Sequence, residues 1–144
     1  MKIRPWAKFA SDLPDDHIED GPRIIQFGGK SVARAIADIL RDLGYKVSEP
    51  VYADENGWEV YVLAGEPRRR LWCQVTFMAD HYLMFFGQNS WIADLFGTRH
   101  PAYVDALSRL AAALADDARF FEIRWFTSDE LYTGATGATC PVEV

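Results

Sequence analysis

Apolar residues recur along this chain with two periods, and the switches between them mark out the elements. Within residues 31–43, Val32, Ile36, Ile39, Leu40 and Leu43 are spaced by four, three, one and three. That spacing puts one apolar stripe on a helix. Gly44 follows the last apolar residue, where a left-handed C-cap is expected. Arg34 and Asp38 lie four apart on the outer face, the spacing of a weak ion pair. Residues 101–116 repeat the helical pattern through Tyr103, Val104, Leu107, Leu110, Ala111 and Leu114, with Pro101 at the first helical position.

Between these helices the period falls to two. Residues 45–52, 58–64, 71–78 and 82–88 read as four short strands separated by turns, an antiparallel meander. Trp58, Val60 and Val62 share one face of their strand, opposite Glu59, Tyr61 and Leu63. In the next strand Leu71, Cys73, Val75 and Phe77 oppose Trp72, Gln74 and Thr76, a more polar set that should face water or a partner. Residues 23–27 form a strand before the first helix. Residues 119–126 form one after the second, with Phe121, Ile123 and Trp125 opposing Glu122 and Arg124. Residues 91–100 suit a helical turn or a capping loop, and Trp91 joins Trp58, Trp72 and Trp125 on or beside the sheet. A further helical turn fits 127–132. The predicted order is β-α-β-β-β-β-α-β. The fold class is α+β, a single domain with an antiparallel meander sheet and two amphipathic helices on one face. Residues 1–22 read as an acidic lead-in whose Trp6 and Phe9 can pin it to the core. Residues 23–132 read as the domain, and 133–144 as a loose tail rich in Gly, Thr and Ala.

Composition narrows the function classes. The chain has 144 residues, 49% hydrophobic, enough for one domain with a real core. Its net charge of −6 disfavours nucleic acid, whose phosphates need a basic surface. The two cysteines, Cys73 and Cys140, make neither a disulfide framework nor a zinc pattern. The first residues lack a signal-peptide core, and no apolar run reaches the ~18 residues of a membrane helix. The expectation is a cytoplasmic protein that does not bind membranes.

The candidate chemistry is sparse. "GGKS" at 28–31 resembles the end of a phosphate loop, but the first glycine that such a loop requires is replaced by Ile24. Gly28 and Gly29 are therefore expected to make a turn and Ser31 to cap the helix with its hydroxyl, with Lys30 adding a possible anion site. Asp80 and His81 adjoin in a hairpin turn. Ser90, Cys73 and Thr76 could in principle serve as a nucleophile, but no spacing selects one. The histidines His17, His81 and His100 show no metal-ligand spacing, and the acidic residues of 15–20 lack that of a calcium loop. The sequence thus predicts no catalytic set, no metal and no cofactor. Arg68, Arg69 and Arg70 form the one basic run. With Trp58, Glu59, Trp72, Gln74, Asp80 and His81 they make up the candidate binding residues.

A small acidic α+β domain of this kind resembles, in architecture alone, bacterial immunity proteins that mask a toxin's basic active site. It is also similar in size and charge to dimeric secretion chaperones. The resemblance implies a protein-binding module whose partner is another protein, a basic toxin domain among the candidates, or a second copy in a homodimer. Asp54, Glu55, Glu59 and Asp80 would present the acidic groups beside Trp58 or Trp72. The alternative is a small-molecule or anion binder, or an enzyme, using the Gly28–Ser31 turn or an Asp80/His81 cleft that includes Arg70.

Overall fold

The computed structural model describes residues 1–65, 68–88 and 100–144. In chain order its strands are β1 (Lys2–Ile3), β2 (Trp6–Ser11), β3 (Ile18–Asp20), β4 (Arg23–Gln26), β5 (Lys46–Val47), β6 (Val51–Tyr52), β7 (Trp58–Ala64), β8 (Arg69–Phe77), β9 (Tyr82–Gln88), β10 (Phe120–Phe126) and β11 (Val142–Glu143). Its helices are α1 (Lys30–Asp42), α2 (Pro101–Ala115) and α3 (Ser128–Tyr132). The main sheet is antiparallel and runs β10-β2-β9-β8-β7-β5, with β6 also paired to β7. The α+β class, the meander and both long helices match the periodicity.

One face of the sheet makes the core. Ala7 and Phe9, then Trp58, Val60 and Val62, Leu71, Cys73 and Val75, and Tyr82, Met84 and Phe86 all point to it and are buried. Val32, Ile36 and Leu40 of α1 and Tyr103, Leu107, Leu110 and Leu114 of α2 close it from above. Each fully buried Leu or Val contributes roughly 1.5–3 kcal/mol of transfer free energy. Helix α1 stops where expected. Gly44 has φ +98°, its N–H reaches the Arg41 carbonyl at 2.9 Å, and the Tyr45 N–H reaches that of Leu40 at 3.1 Å. This pair of bonds is a Schellman cap.

Several elements differ from the periodic reading, each for a physical reason. The lead-in supplies β2, which lies between β10 and β9 inside the sheet. Its alternation is muted because small Ala7 shares the inner face with Phe9. The predicted strand at 23–27 forms, but among the described residues β4 pairs only with β3, in a hairpin outside the main sheet with Ile18, Ile24 and Ile25 exposed. Residues 45–52 split into β5 and β6 around Pro50, which cannot donate to a ladder. In β10 the residues 122–123 oppose the single Phe9, and Glu122 takes φ +57°. This bulge shifts the alternation, so Phe120 is buried and Phe121 faces out. Arg34 and Asp38 do not pair. Arg34 meets Glu49 at 3.4 Å, and Asp38 takes Arg41 at 2.9 Å.

The tail is tied down as well. Ala138 exchanges two 2.8 Å backbone hydrogen bonds with Trp125, and β11 pairs with β1. Arg4 crosses this region, donating to Glu130 at 3.0 Å and to Glu143 at 2.6 Å. Among the described residues no helix is long and apolar enough to cross a membrane. Ser90 and, of the predicted turn at 91–100, every residue but His100 lie outside the described residues, as do Glu66 and Pro67.

Candidate functional site

The Gly28–Ser31 turn is occupied by the chain itself. Gly29 is the N-cap of α1 with φ +113°, and no side chain of the turn caps the helix. The Ser31 hydroxyl is not the cap. Instead the Ser31 N–H donates to Asp16 Oδ2 at 2.6 Å, the Gly29 N–H to the Asp15 carbonyl at 2.7 Å, and the Gly28 N–H to His17 Nδ1 at 3.1 Å. Because His17 Nδ1 accepts, its Nε2 is the donor to Glu19, 2.9 Å away. Lys30 extends over the Trp58 ring, 5.5 Å from its centroid. The acidic loop thus takes up the donors that an external anion would need.

Asp80 and His81 form a turn. Their side chains meet at 2.6 Å, and the Met78 N–H closes the turn on the His81 carbonyl at 2.9 Å. The bond from His81 holds the Asp80 carboxyl below its usual range. A cavity of about 150 Å³ adjoins them, with Ser11 and Asp15 in its wall. The nearby hydroxyls are engaged. Ser11 donates to the Arg119 carbonyl at 2.8 Å and Thr76 to the Asn56 carbonyl at 2.8 Å. Cys73 is buried, and burial alone pushes its thiol up to about 12, far from a nucleophile's range.

The candidate binding residues on β7 and β8 divide by face. Trp58 belongs to the core. It is 6% exposed, donates its indole N–H to the Phe27 carbonyl at 3.1 Å and packs on Tyr52. Trp72, Gln74 and Glu59 lie on the opposite, outer face, as the alternation predicts. There Glu59 accepts the Tyr61 hydroxyl at 2.7 Å and the Gln74 amide at 3.4 Å, and the hydrogen bond to Glu59 raises the Tyr61 pKa.

Strand pairing adds residues that sequence reasoning missed. Trp6 on β2, Phe85 on β9 and Trp72 on β8 form a row of rings, with centroids 4.8 Å and 5.3 Å apart. Tyr61, 41% exposed, stands opposite Trp72. Gly87 stands opposite Trp72 on the other side, where a Cβ would lie 2.4 Å from the Phe85 ring. The missing side chain is what lets that ring lie along its own strand. The alternation of β9 carries a signal for Phe85. Trp6 needed β2 to be recognised as a strand.

Charge is segregated along the strands. Arg69 and Arg70 stand opposite Ala64 and Leu63, so with Arg68 they cluster at the end of the sheet where β7 finishes. The other end carries Asp54, Glu55 and Asp80, with Asp15 beside the Asp80 turn. Arg68, Arg69 and Arg70 make no ion pair among the described residues. Among the described residues no three His, Cys, Asp or Glu side chains gather as a metal site would require.

No family model, curated protein or solved structure matches this chain.

Proposed function

We propose that the protein is a non-enzymatic, cytoplasmic protein-binding module that acts as an immunity or inhibitor protein toward a basic partner, such as a toxin domain. The observation that carries this reading is the aromatic row Trp6–Phe85–Trp72 beside Tyr61 and Glu59, on the sheet face opposite α1 and α2. Trp and Tyr are the residues that most often anchor protein interfaces, and they do so best next to a polar group that fixes orientation. Glu59 supplies that group, and the acidic end with Asp54, Glu55 and Asp80 would steer a basic surface toward it. A second copy of the chain is the competing occupant of the face.

The test is affinity capture of the tagged protein from its native extract, followed by binding measurements with the purified partner. A basic partner near one-to-one stoichiometry is expected. Trp72→Ala should weaken it by tenfold or more, and the double charge reversal Glu59→Lys/Asp80→Lys should slow association. An affinity indifferent to both variants would remove this reading. A concentration-dependent dimer lost in Trp72→Ala would assign the face to self-association instead.

A further inference from the structure

The register of the outer face creates a second feature, independent of the aromatic row. Lys46 on β5 and Arg70 on β8 both stand opposite Leu63 on β7. Neighbouring strands lie about 4.8 Å apart, so the two cations flank Leu63 in one row about 10 Å wide at the backbone. Both are exposed, and neither side chain makes an ion pair or hydrogen bond among the described residues. Arg4, Arg34, Arg41 and Arg119 each meet a carboxylate, whereas Lys46 and Arg70, like the neighbouring Arg68 and Arg69, do not among the described residues. Their shared partner Leu63 sets these two cations side by side at the positive end of the sheet, in a chain of net charge −6.

Between them runs a groove of about 470 Å³, within the range of small-molecule sites. Leu63, Tyr61 and Val47 give it a mainly apolar lining. The polar groups at its wall are already used. The Ser48 hydroxyl accepts the Tyr61 N–H at 3.0 Å and donates to the Glu49 carbonyl at 3.0 Å, and the Tyr61 hydroxyl is turned to Glu59. What the groove offers a ligand is therefore apolar surface bounded by two positive charges.

We propose that this groove binds a small amphipathic carboxylate, an acidic head on an alkyl body. The head lies between the Lys46 ammonium and the Arg70 guanidinium, whose planar fork suits a carboxylate. The body lies on Leu63 and Tyr61. Neither an uncharged alkyl chain nor a bare anion satisfies both parts of the site.

Octanoate, octanol and acetate separate the requirements, followed by backbone amide NMR on the full chain. Octanoate is expected to give saturable shifts at residues 46–48, 61–63 and 70–71, with a dissociation constant of about 1 mM or tighter. Octanol and acetate should bind at least tenfold more weakly. The exposed double substitution Lys46→Gln/Arg70→Gln should weaken octanoate tenfold or more while leaving the rest of the spectrum in place. Trp72→Ala should leave octanoate binding intact, which keeps this test separate from that of the partner protein. The proposal is overturned by an absence of saturable shifts at those amides, by octanol binding as well as octanoate, or by wild-type affinity in the double variant.

Discussion

Asp16 Oδ2 accepts the Ser31 backbone N–H at 2.6 Å, so the acidic loop caps the first turn of α1 from outside the helix. Asp16 itself has φ +60°, a conformation that Asp and Asn tolerate better than other side chains. Asp16→Ala loses both the cap and that tolerance and should cost about 1 kcal/mol in urea denaturation. Asp16→Asn should retain most of the stability. Asp20→Ala, at an exposed position of β3, should change little. Equal midpoints for Asp16→Ala and wild type would show that the contact does not cap the helix.

Gly57 is tightly hemmed in by backbone. It has φ +88° and ψ −117°, and a Cβ there would lie 2.1 Å from the Val75 carbonyl oxygen. That oxygen belongs to the middle of the sheet and cannot step aside. Gly57→Ala should therefore destabilise by more than about 2 kcal/mol, combining positive φ with a backbone clash. Gly21→Ala has φ +61° but nothing within 4 Å, so only the conformational cost applies, about 1 kcal/mol. Comparable losses in the two variants would contradict the packing argument.

What the sequence made legible was whatever a local period encodes. The stripe Val32–Ile36–Leu40, the faces of β7 and β8 and the cap at Gly44 all follow from spacing of a few residues. What stayed hidden depends on residues far apart in the chain. The cap on Ser31 comes from Asp16 fifteen residues away, and the row Trp6–Phe85–Trp72 joins three strands. Trp58 shows the limit on the site side. Its face was legible, but whether that face was the buried one decided between core and interface. Lys46 entered no candidate set, because its relation to Arg70 exists only through the shared partner Leu63.

Glu130 sets an acid limit on stability. It is the N3 residue of a capping box with Thr127, whose N–H it accepts at 2.8 Å, and it also takes Arg4. The Thr127 N–H first and Arg4 second pull its carboxyl down to about 2. A carboxylate whose folded pKa is depressed stabilises the fold above its unfolded value of about 4.3 and loses that contribution as pH falls through the folded value. The Tm should hold above about pH 5 and fall between there and about pH 2. Glu130→Gln should show a shallower fall over that window. Some slope remains, because Glu143, Asp80 and Asp117 are shifted in the same direction. Parallel curves for wild type and Glu130→Gln would refute the assignment.

The two thiols should separate cleanly by reactivity. Cys140 is exposed on the tail, whereas Cys73 lies in the core strand with its thiol pushed up to about 12 by burial. Disulfide exchange proceeds through the thiolate, so at pH 8 Cys73 is disfavoured twice, by access and by a thiolate fraction of roughly one in ten thousand. Ellman's reagent should titrate one thiol promptly in native buffer and both in denaturing guanidinium. Cys140→Ser should abolish the prompt phase and leave a slow one, whose rate reports the opening of β8 against its neighbours. A prompt reaction persisting in Cys140→Ser would mean that β8 opens readily under native conditions, which a strand paired on both sides at Cys73 should not do.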